Sequence, residues 1–317
     1  MQSQVLLDST RTSYPAHQHY PIAAIEVHPM LRMTRSYNST PYLVLLLQSV
    51  VLVAATTFTQ AQTPSMGRQS DANNEYQVGA ILWTQSSAEY RALAYQTFVL
   101  ARLRLDQALR NRNRSSSRRR PAVIVDVDET VLDNSRFQAE LVLRDAPYSS
   151  ENWKAWCDRA EAGAVPGAVD FLNYVAKRGG RVFYITNRRQ AEKAGTMTNL
   201  TRLGFPGVTE ETVMVREQGA SASKETRREK VRSHYWIAML VGDNLNDFND
   251  NFSGKSITER KAEVDRERLE FGSRFIVVPN PMYGDWENAV NNNQTNLTDE
   301  QRDANRRATL KGITVQP

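Results

Sequence analysis

The sequence predicts an α/β fold, a mostly parallel sheet covered by helices on both faces, with a smaller helical domain beside it. Three observations carry that prediction. Four short apolar runs alternate with helical stretches. The runs are apolar throughout rather than at every second residue, as in strands buried on both faces. Acidic and amide residues follow directly after three of the runs, where open parallel sheets build their sites.

The first run is Ala122-Val123-Ile124-Val125 and the second is Arg181-Val182-Phe183-Tyr184-Ile185. Ile237 to Val241 makes the third and Phe275-Ile276-Val277-Val278 the fourth. Between them, Val169 to Arg178 and Gln190 to Leu203 have helical character. Upstream, Tyr90, Ala94, Phe98 and Ala101 recur at helical spacing within Glu75 to Leu109, which predicts one or two helices there. The run Arg110 to Arg120, RNRNRSSSRRR, reads as a solvated basic linker rather than an anion lure. Beyond the fourth strand, Asn288 to Asn296 reads as surface loop and Asp299 to Arg307 as a helix.

The N-terminus reads as an export signal. Tyr42 to Ala55 is apolar except for Gln48 and Ser49, with Arg32 and Arg35 ahead of it and Thr59-Gln60-Ala61 fitting a cleavage site. The run is short of the ~20 residues a membrane span needs. The expected division is therefore a spurious extension plus signal peptide over 1–61, then a helical segment and basic linker over 62–120. The α/β core with its C-terminal extension follows over 121–317. Placement outside the cytoplasm follows, periplasmic or secreted, with a retained N-terminal membrane anchor as the alternative. No cysteine stands near the cut, so no lipid anchor is expected.

Composition narrows the chemistry. Of four histidines, only His234 lies outside the first 28 residues, which leaves no material for a phosphohistidine, a Ser-His-Asp triad or a histidine-rich zinc site. His234 reads as an ordinary strand-edge residue. Cys157 is the single cysteine, so no intrachain disulfide forms, and it reads as a small buried side chain. A net charge of +5 suits anionic small substrates and is too small to argue for nucleic acid.

The first strand empties into Asp126-Val127-Asp128-Glu129-Thr130, and the third into Gly242-Asp243-Asn244-Leu245-Asn246-Asp247. Carboxylates placed straight after buried strands are costly to hold unless a cation compensates them. Two such clusters at one sheet edge suit a hard divalent ion bound by oxygen. The second strand ends in Thr186-Asn187-Arg188, whose hydroxyl and amide at an expected helix start suit phosphate oxygens. Lys224 by itself reads as a common surface lysine and gains weight only because such chemistry needs a fixed cation to hold a phosphoryl group.

These segments, in this order, resemble the four motifs of the haloacid dehalogenase-like phosphohydrolases. Asp126-x-Asp128-x-Thr130 is the first, Thr186 the second, Lys224 the third, and Asp243 with Asp247 the fourth. IVDVDETVLDNS and VGDNLNDF resemble the signatures of one branch, the class C bacterial acid phosphatases and 5′-nucleotidase lipoproteins. AVPGAVDFLNYV, VFYITNRR, LTRLGFPGV and NPMYGDWE extend the likeness across about Tyr90 to Glu287. The resemblance implies a Rossmann-like fold, an Mg2+ cofactor and hydrolysis of small phosphomonoesters such as nucleotides or aryl phosphates. Asp126 would be the nucleophile and Asp128 the acid and base, with its backbone carbonyl on the metal. Thr186, Asn187 and Lys224 would hold the phosphate; Asp126, Asp128, Asp243 and Asp247 form the metal set; Trp153 and Tyr283 would stack on a base. It also implies a homodimer. The lipid-attachment cysteine of the lipoprotein members is missing, and Phe137 stands where their first signature has Tyr. Three other readings compete: a non-catalytic storage relative, which Asp126 argues against, a nucleic-acid module on the arginine run, and a phosphotransferase.

Overall fold

The computed structural model describes residues 74–112 and 119–312, all within one unit, Thr63–Pro317. The expected signal sequence, residues 63–73 and the linker centre 113–118 lie outside the described residues. Among the described residues no helix is long and apolar enough to cross a membrane.

Among the described residues there are seven strands: β1 Pro121–Val125, β2 Leu132–Asp133, β3 Gly163–Ala164, β4 Arg181–Arg189, β5 Val213–Arg216, β6 Trp236–Gly242 and β7 Phe275–Val277. The main sheet runs β5-β4-β1-β6-β7 with every pairing parallel, while β2 and β3 form a separate antiparallel ladder. The helices are α1 Val78–Ser86, α2 Ala88–Arg112, α3 Ser135–Leu143, α4 Ser150–Arg159, α5 Ala168–Lys177, α6 Lys193–Arg202, α7 Glu225–His234, α8 Ile257–Arg266, α9 Asp285–Val290 and α10 Asp299–Thr309.

Alternation along the central strands explains the layering. Val123 and Val125 of β1, with Val182 and Tyr184 of β4, join Phe98, Phe171 and Leu172 in one core. Ala122 and Ile124, with Phe183 and Ile185, join Val231 and Phe248 in a second core on the opposite face. Successive strand residues point to opposite faces, so helices must cover both: α2 and α5 on the first, α7 on the second. Burial of each such side chain contributes about 1.5–3 kcal/mol. Helix α2, from the segment expected to feed the smaller helical domain, buries Tyr90, Ala94, Phe98, Ala101 and Leu105 at helical spacing. It contacts α5, β6 and β7 directly.

Two local expectations change. His234 ends α7 and is exposed; the strand begins at Trp236, after Tyr235 has capped the helix. Thr186-Asn187-Arg188 do not open a helix. They remain in β4, which bends through a register shift between Ile185 and Arg189 before Arg189 pairs with Arg216.

Candidate active site

The parallel register fixes which residues meet at the carboxyl edge. Val125 pairs with Tyr184 on one side and Val241 on the other. One residue further on, the Asp126 N–H still donates to the Val241 carbonyl at 2.9 Å. Asp126 therefore leaves β1 between the ends of β4 and β6, both of which carry polar residues.

The carboxylates of Asp126, Asp243 and Asp247 converge, with one oxygen from each lying within 4.8 Å of the others. The Lys224 ammonium forms ion pairs with Asp126 and, at 2.7 Å, with Asp247. All four side chains sit on a cavity of about 490 Å³ that Asp128, Trp153, Asn187 and Tyr283 also line. Thr186 is fully buried one layer behind, where its hydroxyl donates to Asp128 Oδ2 at 3.3 Å. The sequence-derived set is thus gathered at one place.

Asp128 lines the same cavity but does not belong to the cluster of three carboxylates. Arg188 holds it, with Nη2 2.7 Å and Nε 2.9 Å from Asp128 Oδ1. Asn134 donates to the same oxygen at 2.9 Å. Arg188 is itself buried, braced by Thr196 at 3.0 Å and lying 5.1 Å from the Trp153 ring centroid. Burial is the largest influence and would lower the Arg188 pKa, but Asp128, together with Glu129 and other neighbours, reverses the sign and keeps the guanidinium charged. Asp128 is therefore fixed in orientation by neighbours that sequence reasoning did not assign.

The clustered acids are electrostatically loaded. Burial, chiefly, and the neighbouring carboxylates raise Asp126 well above the usual carboxylate range against the pull of Lys224. Burial and then Asp247 raise Asp243 to about 7. Burial would lower Lys224, but Asp126 and Asp247 reverse the sign and hold it protonated. Asp243 is oriented by Thr130 at 3.0 Å and Asn280 at 2.9 Å. Asp247 Oδ2 accepts the Asn244 N–H at 3.0 Å. Like charges packed this closely favour protonation or cation binding. An all-oxygen set of three oriented carboxylates matches the donors a hard divalent cation takes, so Asp126, Asp243 and Asp247 fit such an ion.

Local backbone serves the same end. Gly242 stands where a Cβ would strike the Asp247 side chain, with its Cγ only 2.7 Å away. Glu129 adopts φ of 56° between Asp128 and Thr130, and its buried carboxylate accepts the Asn134 N–H at 2.9 Å.

At the mouth, Trp153 meets Phe137 edge-on at 5.1 Å and is 9% exposed, so little of its face is free. Tyr148, 6.4 Å from Trp153, lines the same cavity at 58% exposure. Sequence reasoning missed Tyr148, Asn134, Asn280 and the part played by Arg188. Asn134, Arg188 and Asn280 lie inside the segments IVDVDETVLDNS, VFYITNRR and NPMYGDWE, which was the signal for them; Tyr148 carried none. Cys157 is buried as expected, and burial pushes its thiol up to about 12.

Comparison with known proteins agrees with this geometry. The family model for the HAD superfamily, subfamily IIIB (acid phosphatase), matches residues 48–286. The solved class C acid phosphatase of Bacillus anthracis is 38% identical, with a TM-score of 0.71; the match covers 76% of this chain and 99% of that one. A tungstate-bound structure of the same enzyme matches equally, at 98% of its length. Among curated proteins, the stem 31 kDa glycoprotein of Glycine max is 21% identical over 164 residues and the stem 28 kDa glycoprotein 23% over 167. The matched segment spans 58% of each of these two relatives and about half of this chain.

Proposed function

Since the chain belongs to subfamily IIIB of the HAD superfamily, the acid phosphatases, we propose that it hydrolyses small phosphomonoesters, 5′-nucleotides among them, through a phosphorylated Asp126. The observation that carries this reading is the meeting of Asp126, Asp243, Asp247 and Lys224 on one cavity. A buried carboxylate beside a fixed ammonium is a nucleophile facing the charge it must attack.

An Asp126 oxygen attacks phosphorus, and the bond from phosphorus to the ester oxygen breaks as Asp128 donates a proton to the departing alcohol. Water then attacks the aspartyl phosphate, Asp128 takes its proton, and inorganic phosphate leaves with Asp126 restored. This use of one carboxyl for both transfers requires a fixed orientation, which Arg188, Asn134 and Thr186 provide. Lys224 and Asn187, on the cavity wall, hold the phosphoryl oxygens, and Thr186, buried behind them, acts through Asp128. Mg2+ would be held by Asp126, Asp243 and Asp247 with the Asp128 backbone carbonyl, and supplies charge that offsets the approach of carboxylate to phosphate. Tyr283 and Trp153, with Tyr148, form the aromatic wall for a base. The apolar stretch Tyr42–Ala55 supports export to the periplasm or beyond, and the family supports a homodimer.

A phosphate-release screen over nucleotides, sugar phosphates and aryl phosphates, with Mg2+ or EDTA, tests the reading. Release that depends on Mg2+ and vanishes in Asp126→Asn is expected. Wild-type turnover by that variant rejects the nucleophile.

A further inference from the structure

Helix α7 has the sequence ETRREKVRSH and looks like a solvated surface helix, yet Arg228 has no exposure at all. A buried guanidinium is stable only with its donors satisfied. Here they are shared between the loop after β6 and Glu225 of the same helix. Nη1 donates to the backbone carbonyls of Asn246 at 3.0 Å and Asp247 at 3.1 Å. Nη2 donates to Asp250 at 3.1 Å and Glu225 at 2.6 Å. Its neighbour Arg227 grips the other flank. Its Nη1 donates to the Thr186 carbonyl, and its Nη2 to Asn187 Oδ1 at 2.8 Å and the Ser223 carbonyl at 3.0 Å. Lys224, at the N-cap of the same helix, meets Asp126 and Asp247 between them.

We propose that Arg227 and Arg228 are a matched pair of positioning residues, Arg227 setting the phosphate-binding end of β4 and Arg228 setting the carboxylate loop after β6. The proposal rests on the phosphatase reading above. Each arginine grips backbone carbonyls of its loop and so fixes where that loop runs, and Arg227 also fixes the Asn187 side chain. Two loops from separate strands are thereby spaced by one rigid helix, with Lys224 at a constant height between them. A planar guanidinium suits this, since its five N–H donors sit in a rigid fork with fixed directions, where an ammonium offers three on a flexible stem.

The two roles are separable by measurement on the full chain. Outer partners of metal ligands typically change affinity about 10–100-fold when removed. Arg228→Gln is expected to weaken Mg2+ binding, measured by isothermal titration of the metal alone, within that range. Its inhibition by inorganic phosphate at saturating Mg2+ should stay within about twofold of wild type. Arg227→Gln is expected to do the reverse, with weaker inhibition by inorganic phosphate and an unchanged Mg2+ constant. Asp250→Asn, which loosens Arg228 without removing it, should shift the Mg2+ constant in the same direction by less, and serves if Arg228→Gln does not fold. Circular dichroism melts establish folding in each case. Equal changes of both constants in both variants, or no change in either, overturn the pairing. A wild-type protein that binds no Mg2+ and releases no phosphate would instead sink the phosphatase reading, and this proposal with it.

Discussion

Gly242→Ala should disable the site through a single methyl group. The added carbon would meet Asp247 at its Cβ and carboxylate, with Cγ 2.7 Å away. Non-bonded carbons rest about 3.5–4.0 Å apart, so the overlap is roughly 1 Å. The clash involves the Asp247 Cβ, which no rotamer change moves, so the 243–247 loop itself must give. Overpacking of this kind costs about 1–3 kcal/mol. For a chain of this size that lowers the melting temperature by roughly 2–4 °C per kcal/mol. The functional effect is larger, because a displacement of about 1 Å at a reacting centre can cost ~10²-fold in rate. Asp247 would also lose its alignment with Lys224 and Asn244. The assay pairs initial rates of phosphate release with Mg2+ titration and a melting curve. Gly79→Ala in helix α1, where no atom lies within 4 Å of the new carbon, is the control and should match wild type in rate and Mg2+ affinity and melt no lower. If Gly242→Ala kept wild-type turnover and Mg2+ affinity, the close approach of β6 to Asp247 would not be what shapes the site.

Further outcomes follow from the same geometry. Asp243 is raised to about 7 in the folded chain, so between about pH 4 and pH 7 the folded state binds a proton that the unfolded state has lost. The stability this acid contributes therefore falls as pH rises through that window. In EDTA, wild type should lose melting temperature relative to Asp243→Asn between pH 4 and pH 7, while the gain from Mg2+ grows with pH; a gain from Mg2+ that is largest at pH 4 contradicts this. Trp153→Ala should raise KM for nucleotides more than for a small aryl phosphate, and Tyr148→Ala should do likewise; equal effects on both substrates remove the stacking wall. Gly195→Ala would set its new carbon against the Cys157 carbonyl, 2.8 Å from the carbonyl carbon and 3.1 Å from Asp158 Cα. Helices α4 and α6 must part, so a destabilisation of about 1–3 kcal/mol in a urea melt is expected; an unchanged melt refutes that close packing.

Much of the architecture was legible because β1, β4, β6 and β7 carry the apolar runs of strands covered on both faces. The edge strand β5 was not: Val213-Met214-Val215-Arg216 buries alternate residues only, and four residues give no clear period. The ladder of β2 and β3 spans two residues each and leaves no pattern. At the site, the aspartates could be read because carboxylates straight after buried strands demand compensation. Asn134 and Asn280 could not be assigned roles, since spacing does not show which carboxylate an amide meets. Asn134 meets Asp128 six residues back, and Asn280 meets Asp243, which follows another strand. Arg228 was hidden for a related reason. On a helix this charged, nothing in the local sequence separates a buried arginine from solvated ones, and only the fold brings the 246–247 carbonyls to it.

The central claim, that Asp126 carries the phosphoryl group, is tested most directly by trapping. The enzyme is quenched during turnover, any acyl phosphate is reduced with borohydride, and the modified residue is located by peptide mass spectrometry. Conversion of Asp126 alone to homoserine, absent without substrate, is the predicted result. An unmodified Asp126 during active turnover, or conversion at another carboxylate, would contradict the mechanism.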